Sequence, residues 1–425
     1  MTPLRLTFLF ACLAVSPAGA DWPHWRGPLT NGVSDATDLP TEWSSSDGVL
    51  WRQPLPGAAG STPVLADGRL FLTTPKGAEL LLAAFDAATG EPLWQRTVAT
   101  GTSVFRGDEG NLASASPATD GEYVVAVMGE GTMACYRVDG EPVWKVSLSE
   151  RLTPLDIQFG YASSPIVRDG SVYLQWIHGD GDAATEEARV ACLDLATGET
   201  IWVSERRTGA HKECEHSYAS PVIAGEGDSA VLVTHGGDAT IAYDLATGQE
   251  RWRLAGMNPH GNYHPTLRFV ASPAAGEGML IAPTAKKSMV TAVRFDGFGD
   301  LTGGEYEVWR NARGTPDVPS PIVAEGLVYL CGENGNLTCL DAKTGDRVYR
   351  HRTVGDRHRA SPLLADGKLY LTSRGGVVTV VKTGRDFEIL AQNDMGEPIS
   401  SSPIADDGVL YLRTFAALYA IGERP

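Results

Sequence analysis

The sequence is short of positive charge, of cysteine and of long apolar runs. Lys plus Arg number 35 against 52 Asp plus Glu, a net charge of −17. Such a surface repels phosphate backbones, and no basic run carries interleaved aromatics, so nucleic acid is not an expected partner. The excess of acid mainly favours solubility. Several reaction signatures are also missing. No C-x-x-C-H attaches a haem, no G-x-S-x-G marks a serine nucleophile, and neither H-E-x-x-H nor a P-loop occurs. Gly129 to Ala134 fits G-x-G-x-x-A, but it sits in a hairpin with no helix after it and reads as a turn.

Residues 1–20 have their own pattern. Arg5 is the single charge, Leu6 to Val15 is apolar, and Ala18-Gly19-Ala20 precedes Asp21. A charged start, a short apolar core and an A-x-A ending predict a secretory signal cut after Ala20. The run is short for a membrane anchor, and Phe10 is bulky for acylation at Cys12. No later stretch has the length of a bilayer span, so the mature chain is expected to be soluble, periplasmic or secreted, and monomeric. Five cysteines then remain, Cys135, Cys192, Cys214, Cys331 and Cys339, an odd number that cannot all pair internally.

What the chain has in quantity is turns, with 48 Gly and 26 Pro spread throughout. A Ser-Pro or Thr-Pro marker recurs at Pro63, Pro117, Pro165, Pro221, Pro273, Pro321, Pro362 and Pro403, at spacings of 41 to 56 residues. Each is followed by a short apolar run, a Gly turn, a second run such as "LVYLCG", and a third ending in a turn such as "CLDLATG". Past that turn stands Trp94, Trp144, Trp202, Trp252, Trp309 or Tyr349. Four short strands per unit predict an all-β, eight-bladed propeller of four-stranded antiparallel blades, with seven blades as the fallback. Runs apolar on both faces suit sheets sandwiched between neighbours, and small residues before each Pro suit strands converging on an axis. The Asp of the D-x-x-T-G turn can accept backbone N–H groups, while its Gly takes positive φ.

Closure follows from a shortage. Only 18 residues separate Pro403 from Ile421, enough for three strands. The fourth is available upstream in "GVLWRQPLP", residues 48–56 with Trp51, which would close the last blade and leave no open edge. Three regions are therefore expected: signal peptide 1–20, an N-terminal arm 21–47 packing on the ring through Trp22, Pro23 and Trp25, and the propeller 48–422. Cys135, Cys192 and Cys339 share one repeat position with Ala84 and Ala242, which marks a small buried site. Cys331 and Cys339 flank one hairpin and are expected to face each other, with a disulfide as one option.

The turn-plus-Trp signature ("DLATGETIW", "DLATGQERW", "DAATGEPLW") resembles the repeat of the pyrroloquinoline-quinone (PQQ) dehydrogenases, shared by BamB-type outer-membrane-assembly propellers. The resemblance covers residues 48–422. It implies either a non-catalytic scaffold that binds an envelope protein or small ligand, or an oxidoreductase carrying PQQ and Ca²⁺ in its channel. The dehydrogenases hold the quinone against adjacent cysteines and bind calcium through a Glu/Asn/Asp set. Here no Cys-Cys pair exists and that set has no residue-by-residue match. The scaffold is preferred, with no catalytic residue and no cofactor assigned; a metal- or glycan-binding module is a third reading.

The second-to-third-strand loops and the connections between blades are long and irregular, and in a propeller they share one face, the candidate binding face. It carries His178, His211, Cys214, His216, His235, His260 and His264, of which His and Cys are possible zinc or copper ligands in no familiar spacing. Arg106, Arg151, Arg313, Arg357 and His358 precede first strands on the same face, where arginines that converge would bind a carboxylate. The bland alternative is a set of solvated loop residues. The acidic stretch from Asp180 to Glu187 would attract calcium but lacks the EF-hand pattern.

Overall fold

Four short strands per repeat form eight antiparallel sheets in the computed structural model, which describes residues 22–105 and 110–423. The expected signal peptide and Arg106 lie outside the described residues. Blade 1 sets the pattern with Val64–Ala66, Arg69–Lys76, Glu79–Asp86 and Pro92–Thr100. Blade 8 closes as the shortage of C-terminal residues predicted. Val49–Pro54 pairs antiparallel with Ala417–Ile421, and Trp51 stands opposite Ala420. The ring therefore has eight blades, not seven. Blade 4 departs from four strands, because Gly299–Asp300 from the next blade adds in parallel to the edge at Trp252 and Arg253.

Around the axis, the residue before each marker proline does more than save space. The Thr62 N–H donates to Ser116 Oγ at 2.9 Å, and Ser116, Ser164, Ser220, Ser272, Ser320 and Ser361 each donate to the hydroxyl of the next blade. Ser402 completes the circle by donating to Thr62 Oγ1 at 3.1 Å. These are neutral bonds worth about 1 kcal/mol each net, but a closed set fixes the height of every blade against its neighbours. The Ser-Pro marker is thus the closure device itself. Pro is tolerated beside it because it starts the strand and need not donate.

The outer part of the ring is held by the fourth-strand tryptophans. Trp51 Nε1 donates to the Ala87 carbonyl in the next blade, and Trp94, Trp144, Trp202, Trp252 and Trp309 repeat the bond to Val138, Leu195, Leu245, Phe295 and Ala342. The acceptor lies in the third-to-fourth-strand turn, which the Asp side chain organises as expected: Asp244 Oδ1 accepts from the N–H groups of Ala246 and Thr247. The turn glycine has a second reason to be glycine. At Gly248 φ is +69°, and an added Cβ would lie 2.4 Å from Trp202 of the preceding blade. Gly68 has the same φ of +69° with open space around it. Gly68→Ala should therefore cost the backbone strain alone, about 1 kcal/mol. Gly248→Ala should cost about 2–4 kcal/mol, strain plus overpacking, read as the difference in urea midpoint. Equal losses would mean that the Trp contact is not rigid.

The repeat-position cysteines are core residues. Cys135 pairs across its sheet with Trp144, Cys192 with Trp202 and Cys339 with Tyr349, where blades 1 and 4 have Ala84 with Trp94 and Ala242 with Trp252. The expected juxtaposition of Cys331 and Cys339 is corrected. Cys331 stands opposite Leu337, while Cys339 stands opposite Tyr329, so the register sets the thiols two rows apart, and both are free.

Candidate functional site on the open face of the ring

The two faces of the ring differ because one is covered by the N-terminal arm. Trp22 makes an antiparallel bridge to Leu65 of blade 1, and the Pro23 carbonyl accepts from Thr119 of blade 2 at 2.9 Å. His24 Nε2 bonds the Val167 carbonyl of blade 3 at 2.7 Å. Thr30 accepts from Ile223 of blade 4, and Asn31 donates to Ala275 of blade 5. Arg26 donates to the Pro321 carbonyl leading into blade 6, and Gly32 accepts from Leu364 of blade 7. A segment of eleven residues, Trp22 to Gly32, that touches seven innermost strands must cross the axis. It closes the mouth beside the tight first-to-second-strand turns. Burial holds the His24 imidazole down to about 4 and the Arg26 guanidinium down to about 9. The opposite mouth faces the irregular loops.

On that open face the structure separates the histidines. His178 is buried, with Nε2 3.1 Å from Thr153 Oγ1 and Nδ1 accepting from the Asp156 N–H, and burial pulls it down to about 4. His235 stacks on Phe269 at 4.5 Å, bonds Thr240 Oγ1 at 2.8 Å and is pulled by burial to about 3. His211 stacks on Tyr263 at 3.9 Å, and Cys214 Sγ donates to the His264 carbonyl at 3.1 Å. His216 Nε2 bonds the Gly179 carbonyl, His264 is exposed beside Thr266, and His260 opens a short 3-10 turn. His211, Cys214 and His216 thus point to three different neighbours. They do not form a shared ligand set.

What the structure does gather there is acid. Oxygens of Asp180, Glu187 and Glu215 lie within 4.8 Å of one another, held by Thr185 Oγ1 and the Gly181 N–H. Among the described residues this is the one group with metal-ligand spacing. Burial, then the neighbouring Glu187, Asp180 and Asp182, push the Glu215 carboxyl up to about 7. Glu215 was not among the residues that spacing singled out, because nothing in sequence says that its turn folds over the loop of blade 3.

The arginines divide in two. Arg151 bonds the Gly198 carbonyl, tying its short helix to blade 3. Buried His358 holds the Asp356 carbonyl at 3.1 Å, and burial lowers its pKa. Arg313 and Arg357, in contrast, border one cavity of about 1430 Å³ between blades 5 and 6. Lys286, Lys287, Arg347, Arg350 and Arg352 line it too. In the "RVYRHR" strand only Tyr349 is buried, so no clean alternation of core and charge marks the arginines as one row.

The dehydrogenase centre does not fit these residues. All five cysteines of residues 22–423 are free inside or beside blades, none next to another. The carboxylate group lies on the second-to-third-strand loop of blade 3 and on the connection into blade 4.

Comparison with known proteins places this geometry. The family model described as outer membrane protein assembly factor BamB matches residues 33–109, 81–297 and 285–423. The BamB of Burkholderia pseudomallei is 22% identical over 78% of this chain and 73% of its own length; that of Yersinia pestis is 24% identical over 66% and 68%. The serine/threonine-protein kinase AfsK of Streptomyces griseus is 24% identical over 53% of this chain, which spans only 34% of that protein. Among solved structures, BamB from Moraxella catarrhalis superposes with a TM-score of 0.65 at 13% identity, covering 88% of this chain and 99% of its own. The quinohemoprotein alcohol dehydrogenase of Comamonas testosteroni gives 0.67 at 13%, covering 96% and 81%. At these identities the structural likenesses establish the fold.

Proposed function

The chain belongs to the family of the outer membrane protein assembly factor BamB, and from that membership we propose that it is a non-catalytic, periplasmic propeller scaffold that binds a protein partner in outer-membrane assembly. The observation that carries this reading is the asymmetry of the faces. The arm hydrogen-bonds across seven innermost strands and covers the tight-turn mouth, which leaves the loop face as the surface free to vary and to bind. A propeller suits the task because its blades hold the loops rigidly, so little ordering cost is added on binding. No helix of the described residues is long and apolar enough to cross a membrane.

The test is genetic and quantitative. Removing the protein from its host should lower the abundance of outer-membrane β-barrel proteins several-fold, and the full-length protein supplied in trans should restore it. Unchanged barrel abundance would sink the proposal. Turnover of alcohols or sugars with a dye acceptor by purified protein given PQQ and calcium would replace it with the oxidoreductase reading.

A further inference from the structure

Arginines on this surface are mostly neutralised where they stand. Arg52 pairs with Glu397, Arg137 with Glu122, Arg253 with Glu250, Arg310 with Glu307 and Arg385 with Asp341. The wedge between blades 5 and 6 breaks that habit. Lys287, Arg313, Arg347, Arg350 and Arg352 line it, all exposed, and none forms an ion pair with a described residue. Of the bordering acids, Asp317 accepts from the Lys286 N–H, Asp356 from the Arg357 N–H, and Glu333 is engaged by Arg359. Asp346 is the remaining one. In a chain of net charge −17, a concentration of unpaired cations in one cavity of about 1430 Å³ is the reverse of the average surface.

We infer that this wedge is a docking groove for an acidic, extended peptide segment of a partner protein, a reading that rests on and deepens the scaffold function. Its shape favours a linear ligand. The fourth strand of blade 6, Arg347–Arg352, runs its length. Six strand residues span about 20 Å. Arg350 stands opposite Thr338 and Arg352 opposite Asn336, on the sheet face turned to blade 5. Tyr349 and His351 take the other face, against Phe387 of blade 7. Arg350 and Arg352 therefore repeat at the two-residue period of a strand, which matches carboxylates on alternate residues of an extended peptide. Leu330 and Leu340 supply a buried apolar floor beneath them. Guanidinium groups are suited to the role because they grip carboxylates with two parallel N–H donors. At the open end Lys286 and Lys287 stand in left-handed backbone, φ +54° and +61°, where glycine or asparagine would be relaxed. Lysine in such a turn is strained, a cost set against the positive charge it brings to the groove.

The probe is a fluorescein-labelled peptide of about ten residues alternating Glu with Ser, long enough to fill the groove. Fluorescence anisotropy with the intact mature protein should show saturable binding that weakens several-fold between about 0.01 and about 0.15 M salt. The double variant Arg350→Glu/Arg352→Glu should bind at least tenfold more weakly, and Arg350→Gln/Arg352→Gln should fall between. Lys76→Glu, an exposed charge reversal on blade 1, should leave binding unchanged and controls for net charge. Circular dichroism and the urea midpoint confirm that each variant is folded. Equal affinity for a Lys/Ser peptide, or unaltered binding by the double variant, overturns the assignment. Binding confined to vesicles bearing a phosphorylated lipid, with no peptide affinity, also overturns it in favour of a phosphate ligand. Loss of the groove with barrel abundance still dependent on the protein defeats this inference alone; peptide binding with unchanged barrel abundance defeats only the assembly function.

Discussion

Trp22→Ala is expected to cost about 3–5 kcal/mol of stability and to release the arm from the axis. Trp22 is 2% exposed, bridges to Leu65 of blade 1 and belongs to the core cluster that also holds Leu363, Ile404 and Tyr411 of the last two blades. Its six-membered ring also lies against Gly27, whose added Cβ would meet it at 3.0 Å. Trp22 Nε1 has no hydrogen-bond partner among the described residues, so the substitution breaks no buried polar pair. The loss is one of packing and cavity. Trp22→Phe should therefore recover more than half of it, since most of the apolar volume is kept. Urea denaturation gives the magnitude, and limited proteolysis gives the mechanism: cleavage within residues 22–34 should accelerate in Trp22→Ala before global unfolding. A loss below about 1 kcal/mol, or no new cleavage, would show that the backbone bonds alone hold the arm.

Acidification should destabilise the protein well above the pH at which carboxylates usually begin to protonate. His24 and His178 are held near 4 and His235 near 3, each chiefly by burial. Unfolded, they would titrate near 6.5. Above that value both states are neutral and the histidines add nothing. Below it the unfolded chain takes up protons that the native state refuses, so stability falls as pH falls. Between about pH 7 and about pH 5 each of the three accounts for about 2 kcal/mol. Glu215 acts in the opposite sense. Its folded pKa, about 7, is raised above the unfolded value, so its stabilising contribution is full below about 4.5 and is lost as pH rises through 7. It returns about 2 kcal/mol over the same interval, for a net loss of about 4 kcal/mol. His358, also lowered by burial, adds to the loss. Urea midpoints at the two pH values measure the net change. In His178→Gln the slope should flatten by about one proton; in Glu215→Gln it should steepen by the same amount. A pH-independent midpoint across this range would mean that these groups titrate normally.

The histidines also show why the binding face was only partly legible. Six of them read as residues of irregular loops, where sequence alone suggests solvent or ligands. Loop membership does not fix burial, and a neighbouring connection covers His178. His235 is not in a loop at all: it stands in the second strand of blade 4, Val231–Gly236, stacked on Phe269. Arg313 and Arg357 were legible as cations on the right face. Their shared wall, Arg350 and Arg352, lies in an outer strand, and only the packing of blade 6 beside blade 5 turns that strand face to Arg313. The arm was visible as a tryptophan-rich segment, but its path was not. Its bonds go mostly to backbone carbonyls and N–H groups, which every residue has and no side-chain pattern marks.

The repeat carries the propeller: the number of blades, the N-terminal strand that closes the last one, the tryptophan positions and the small buried cysteine sites. It does so because each blade must solve the same local problem of turns, apolar faces and a small residue at the axis, and repetition makes that solution visible. Only the folded ring fixes which mouth is sealed, which histidines are buried, that Glu215 meets Asp180 and Glu187, and that five unpaired cations share one wedge. Those facts arise where unlike segments, distant in the chain, are brought together by ring closure. No period in the sequence records such meetings.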